Sequence, residues 1–181
     1  MIVFFGPAGA GKSVQGQILA ARHGWRWLSA GQLLRDTHDT SLLNKMNAGE
    51  LVDNDDINKI VATALKKAKD LPHVILDGFP RALDQAKWLI GNQSEHARSI
   101  SLVIVLEVPK SELLRRLLVR GRADDTPESV DRRLNIYRQQ IYPILNYLSE
   151  QHVHIAHIDG VGSVGNVHDR IETELEACSL V

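Results

Sequence analysis

Ile2-Val3-Phe4-Phe5-Gly6-Pro7-Ala8-Gly9-Ala10-Gly11-Lys12-Ser13 decides how the rest of the chain is read. Four apolar residues predict a short buried strand, a glycine-rich turn follows, and a helical pattern begins at Lys12. Gly-x4-Gly-Lys-Ser in this strand–turn–helix setting is a P-loop. Backbone N–H groups of such a turn converge on phosphate oxygens, and the positive end of the helix dipole adds to the attraction. The stretch implies a nucleoside triphosphate held by Gly6, Ala8, Gly9, Ala10, Gly11, Lys12, Ser13 and Val14. Lys12 would reach the terminal phosphates, and Ser13 would offer its hydroxyl to Mg2+.

Outward from this loop, short apolar runs alternate with longer helical patterns. Ile2–Phe5, Val74–Leu76, Leu102–Leu106 and Val153–Ile158 read as strands, with Trp25–Leu28 as a fifth. The first three are continuously apolar, as strands buried on both faces are. His154 and His157 make Val153–Ile158 wetter, which suits an edge. Helices are predicted over Lys12–Arg22, Gly31–Asp36, Ser41–Ala48, Asp55–Ala68, Leu83–Ile90, Lys110–Val119, Pro127–Gln151 and Val164–Ala177. Thr126-Pro127-Glu128 is a strong helix start, and Pro143 predicts a kink or break near Ile141–Tyr142. The alternation predicts an α/β fold with a parallel five-stranded sheet flanked by helices. One domain is expected, with a core of residues 1–29, 73–119 and 128–181. Residues 30–72 and 120–127 read as inserts over the sheet.

Val74-Ile75-Leu76 ends in Asp77, a carboxylate at the end of a predicted buried strand. Beside a P-loop it would hold Mg2+ with Ser13, partly through water. An ordinary Asp77-Gly78 turn is the alternative. A guanine-reading Asn-Lys-x-Asp is absent, since Asn44-Lys45 and Asn58-Lys59 continue as Met46-Asn47 and Ile60-Val61.

Asp77-Gly78-Phe79-Pro80-Arg81 is more telling. With Leu28–Arg35, Gly49-Glu50-Leu51-Val52, Gln85, Arg120–Asp125 and Arg132-Arg133-Leu134, the chain resembles the adenylate kinase family of nucleoside monophosphate kinases, over nearly its whole length. The resemblance implies a Mg2+-dependent transfer from ATP to a nucleoside monophosphate, AMP favoured. It places the acceptor among Ser29, Ala30, Arg35, Leu51, Val52, Gly78, Arg81, Gln85, Arg122 and Arg133. Residues 30–72 become the monophosphate-binding insert and 120–127 a very short lid. Arg120, Arg122 and Arg133 would reach the transferred group, with Asp124 and Asp125 positioning the lid arginines. Lys12, Arg81, Arg120, Arg122 and Arg133 are thus the candidate catalytic set, and Arg116 with Arg120 would add to the ATP site, Arg116 by stacking on the base. The chemistry agrees: two anionic nucleotides must meet, and arginine's planar fork stays charged and binds phosphate oxygens in pairs. No general base is needed, because the acceptor is already an anion. The histidines form no catalytic group, and all eight are expected at the surface or at strand edges. Arg22, Arg26, Arg98, Arg115, Arg132 and Arg170 are expected to be solvated.

Three departures from the family pattern bear on affinity and selectivity. Val14 replaces a hydroxyl that normally helps to bind phosphate. Ala30 stands where many adenylate kinases carry threonine and uridylate-cytidylate kinases often carry alanine. Gln85 pulls toward adenine, although its amide flipped would face guanine. UMP, CMP or another acceptor therefore stays open, as does a weakly active nucleotide-binding regulatory protein. Finally, Arg122 follows Gly121 directly, so the lid is shorter than in short-lid relatives.

Composition excludes other classes. The chain has 181 residues, 44% hydrophobic and 24% charged, with a net charge of −1. That balance disfavours a general nucleic-acid or anionic-membrane surface. No apolar run approaches the ~20 residues of a membrane span. The one cysteine, Cys178, allows no internal disulfide, and no Cys/His cluster shows zinc-ligand spacing. A cytoplasmic monomer is expected.

Overall fold

The computed structural model describes residues 1–47, 53–121 and 126–181. Hydrophobic pattern sorts the strands. β1 (Ile2–Phe5), β3 (Val74–Asp77) and β4 (Leu102–Glu107) are buried except at Glu107, whereas β2 (Arg26–Ser29) and β5 (Ile155–Asp159) expose part of their length. All pair in parallel, in the order β2-β3-β1-β4-β5. The continuously apolar strands are therefore central, and the two with polar residues are the edges, as His157 on β5 foretold.

Strand alternation divides the core into two layers. Ile2, Ile75 and Leu102 share a register and face α1 (Lys12–His23), α7 (Lys110–Arg120) and α9 (Val164–Ala177). Their neighbours Val3, Leu76 and Val103 face α4 (Asn54–Lys67), α5 (Leu83–Gly91) and α8 (Pro127–Glu150). Leu65, Leu89 and Leu148 on one side and Leu19, Ile171 and Leu175 on the other are 0% exposed. Each such side chain contributes about 1.5–3 kcal/mol by burial. α2 (Ala30–Asp36), α3 (Thr40–Asn47) and α4 lie between β2 and β3, and Leu34, Ile57 and Val61 join the same core as the sheet. A short α6 (Gln93–His96), not foreseen in the pattern, follows α5.

α8 begins as expected, with Thr126 Oγ1 accepting from the Ser129 N–H. The break expected at Pro143 does not occur, and α8 runs through it to Glu150. Ile141, Ile144 and Leu148 stay on one buried face across the proline. Their packing outweighs the single hydrogen bond that proline cannot donate.

Three surface expectations are corrected. Arg98 is buried, and its guanidinium donates to the carbonyls of Ala68, Lys69, Leu71 and Pro72. It thereby satisfies carbonyls at the C-terminal end of α4 that the helix leaves open. His96 is buried against Trp88, with ring centroids 5.0 Å apart. His168 is buried between α9 and α1, facing Gln15 at 3.3 Å and Glu172 at 3.1 Å. Arg22, Arg26, Arg115, Arg132 and Arg170 are exposed as expected.

β2 and β3 lie on one side of β1, and β4 and β5 on the other. The winding reverses at β1, so a crevice opens at the C-terminal ends of the central strands.

Candidate active site

The P-loop fills that crevice. Gly9 and Gly11 have φ of 85° and 100°, which L side chains rarely adopt. A Cβ on Gly9 would also lie 3.0 Å from Leu117 Cγ, while one on Gly11 would meet open space. Gly11 is required for its backbone alone, as N-cap of α1. The loop closes with the Ala10 N–H donating to Pro7 O at 3.2 Å. Lys12 folds over it, donating to Gly6 O at 2.7 Å and Pro7 O at 3.1 Å. Burial lowers the Lys12 pKa to about 8. The Asp77 charge opposes that shift, and the charges of Arg81 and Arg120 add to it. Val14 is 47% exposed on the first turn of α1.

The β1–β3 register pairs Phe4 with Asp77. This brings the buried Asp77 carboxylate to the start of α1, where Ser13 Oγ donates to Oδ2 at 2.5 Å. A hydroxyl and a carboxylate beside the phosphate loop are hard oxygen donors of the kind Mg2+ takes. The expected pair therefore assembles, and its chemistry fits that cation.

Beyond Asp77 the chain turns at Gly78, whose φ is 77°. Arg81 folds back on this turn, its Nε donating to Gly78 O at 2.9 Å. The Arg81 N–H donates to Gln85 Oε1 at 2.7 Å, and Gln85 Nε2 donates to Asn54 Oδ1 at 2.7 Å. A backbone N–H can only donate, so Oε1 is the atom that faces it. In the structure Oε1 thus faces that N–H, and Nε2 faces Asn54. Asn54, the first residue of α4, escaped the sequence reading; its partner lies 31 residues away, beyond any local pattern.

Arg116 joins the far side of the loop. It donates to Ala10 O at 3.3 Å, to Gly160 O at 2.8 Å and to Glu112 at 2.7 Å. Hydrogen bonds from Arg115 and Arg116 hold the Glu112 carboxyl down to about 2. Gly160 was also missed; a Cβ there would lie 2.6 Å from Val108 Cγ2 and 3.2 Å from Glu107 O. Only glycine brings this carbonyl so near the strand end.

A model of the adenylate kinase family matches residues 4–153. The chain is 38% identical to the adenylate kinase of Mycobacteroides abscessus over 180 aligned positions, covering 96% of this chain and 98% of that one. It is 40% identical to the adenylate kinase of a Synechococcus strain, with 96% and 97% covered. For the Thermus thermophilus adenylate kinase the identity is 38%, with 96% of each chain covered. The chain belongs to the adenylate kinase family. It is thus a nucleoside monophosphate phosphotransferase, as Asp77–Arg81 with Gln85 implied.

Within the adenylate kinase frame, the expected residues fall at four places. Lys12, Ser13, Asp77 and Arg81 meet at the strand ends, and the charges of Arg81 and of Arg120 at the end of α7 act on Lys12. Ser29 caps α2 through the Gln32 N–H, Ala30 is buried, and Arg35 lies exposed on α2 with its Nη2 donating to Gln32 Oε1 at 2.9 Å. Arg133 is partly buried on α8. Leu51, Val52, Arg122, Asp124 and Asp125 lie outside the described residues. Among the described residues, no helix is long and apolar enough to cross a membrane.

Proposed function

We propose that the chain catalyses reversible transfer of the γ-phosphoryl group of Mg·ATP to AMP, giving two ADP. The observation that carries this reading is the connection leaving β3. It ends the strand at Asp77 against Ser13 and then continues through Arg81 to Gln85, so the two halves of one reaction share one turn.

Donor binding falls to the P-loop amides and Lys12, whose ammonium offsets the charge of the outer phosphates. Ser13 and Asp77 would hold Mg2+, which supplies charge neutralisation along the polyphosphate when bound. Arg116 has three of its five in-plane N–H groups committed to Glu112, Ala10 and Gly160, and the faces of its guanidinium suit stacking on the ATP base. On the acceptor side, Arg35 and Arg81 hold the monophosphate. Gln85 Oε1 has a second lone pair and Nε2 a second hydrogen, an acceptor–donor pair that suits the N6 amine and N1 of adenine. Arg120, Arg122 and Arg133 stabilise the charge spread over the transferred group. Residues 30–72 serve as the monophosphate-binding insert and 120–127 as the lid. Positioning and charge stabilisation suffice, because the attacking oxygen already belongs to an anion.

Arg81→Ala tests the division of labour. Removing a fork that binds only the acceptor and the reacting phosphates should raise the AMP KM at least about tenfold and lower kcat about 100-fold. The ATP KM should change little. An unchanged AMP KM and kcat would remove Arg81 from the acceptor site.

A further inference from the structure

At the end of the sheet opposite the P-loop, three side chains from distant parts of the chain converge. His154 immediately precedes β5, Glu174 lies in the last turn of α9, and Cys178 caps that helix. Their ligand atoms all lie within 4.8 Å of one another. His154 Nε2 is 2.8 Å from Glu174 Oε1, and Cys178 Sγ is 4.0 Å from the same oxygen. We propose that His154, Glu174 and Cys178 bind a thiophilic divalent cation of the zinc class.

The donor set is imidazole, carboxylate and thiolate, which zinc takes in tetrahedral sites at about 2.0–2.3 Å. Those bond lengths put neighbouring donors about 3.3–3.6 Å apart. The observed spacings bracket that range, so a shared cation needs only small side-chain shifts. The backbone around it is pinned. His154 O accepts from the Val103 N–H at 2.9 Å, the Cys178 N–H donates to Glu174 O at 3.1 Å, and the Leu180 N–H donates to Leu175 O at 3.0 Å. Glu174 and Cys178 are four apart at the end of one helix, a spacing that puts two ligands on one face. Cys178 and Glu174 are half-buried while His154 is exposed, so a cation enters from the His154 side and keeps a water as fourth ligand.

This cation is not the one of phosphoryl transfer. Mg2+ is hard and takes oxygen ligands, so a thiolate–imidazole site rejects it. His154 and Gly160 lie six residues apart across β5, so at about 3.3 Å per step the two ends of the strand are about 20 Å apart. A bound cation would tie the end of α9 to the start of β5 and stabilise the folded chain by mass action.

Chelator-stripped full-length protein titrated with Co2+ should develop a near-ultraviolet thiolate charge-transfer band and the visible bands of tetrahedral cobalt, both displaced by Zn2+. Cys178→Ser should abolish the charge-transfer band and weaken Zn2+ binding about 100-fold, and His154→Ala about tenfold or more, since even outer-shell losses cost 10–100-fold. Phosphoryl transfer should persist in both variants, showing that they fold. A rise in Tm with Zn2+ should occur in the unaltered chain and be lost in each. A titration of the unaltered chain with no charge-transfer band overturns the proposal. Zn2+ affinity retained in Cys178→Ser, as exposed His157 beside Glu107 would allow, overturns it equally.

Discussion

Lys12 sits under opposing influences. Burial and the charges of Arg81 and Arg120 push its pKa down to about 8, and Asp77 partly restores it. The folded value lies below the ordinary 10.5, so between about 8 and 10.5 the folded chain holds fewer protons than the unfolded one. Its buried ammonium costs stability at neutral pH, and that cost fades as pH rises through this window. Function runs the other way, because only the ammonium attracts phosphate. With the free enzyme, kcat/KM for ATP should fall as pH rises through about 8. kcat should fall at a higher pH, since bound polyphosphate favours the charged amine. A kcat/KM level from pH 7 to 10 would contradict the assignment of Lys12. Asn54 offers a second test at this scale. It holds one N–H of Gln85, so Asn54→Ala should raise the AMP KM about 2–10-fold, the worth of one neutral hydrogen bond, and leave the ATP KM unchanged. Equal AMP KM in both proteins would show that Asn54 does not orient Gln85. Lys12 and Ser13 were legible because a P-loop is a local pattern, and Asp77 because it ends a continuously apolar strand. Asn54 and Gly160 were not, because their roles arise from contacts across the fold.

At the scale of elements, hydrophobic pattern read the strands well and the polar clasps between elements poorly. Arg98 looks in sequence like any other arginine. In the fold it reaches carbonyls 26 to 30 residues away and closes the end of α4. Arg98→Ala would leave those carbonyls without their charged donor in a buried site. We expect a loss of about 2–4 kcal/mol in unfolding free energy, read as a lower urea midpoint at unchanged slope. A loss under about 0.5 kcal/mol would mean that the clasp contributes nothing. Pro143 misled in the opposite direction. A local rule predicted a break, and the buried face of α8 overrode it.

Across the whole molecule, apolar continuity marked β1, β3 and β4 as covered on both faces before their order was known, because a strand so covered cannot alternate. The order itself comes from packing between segments far apart in the chain. The same parallel sheet that collects Asp77, Arg81 and the P-loop at one end collects His154, Glu174 and Cys178 at the other. Identity to adenylate kinases across 96% of the chain fixes the family, while Ala30 and Val14 leave acceptor choice and ATP affinity as matters of rate. The most direct measurement is therefore phosphoryl transfer from Mg·ATP to AMP, UMP, CMP and GMP, compared by kcat/KM at one pH. AMP should be the best acceptor, with two ADP formed for each ATP consumed. Preference for another monophosphate, or tight ATP binding without transfer to any of the four, would contradict it.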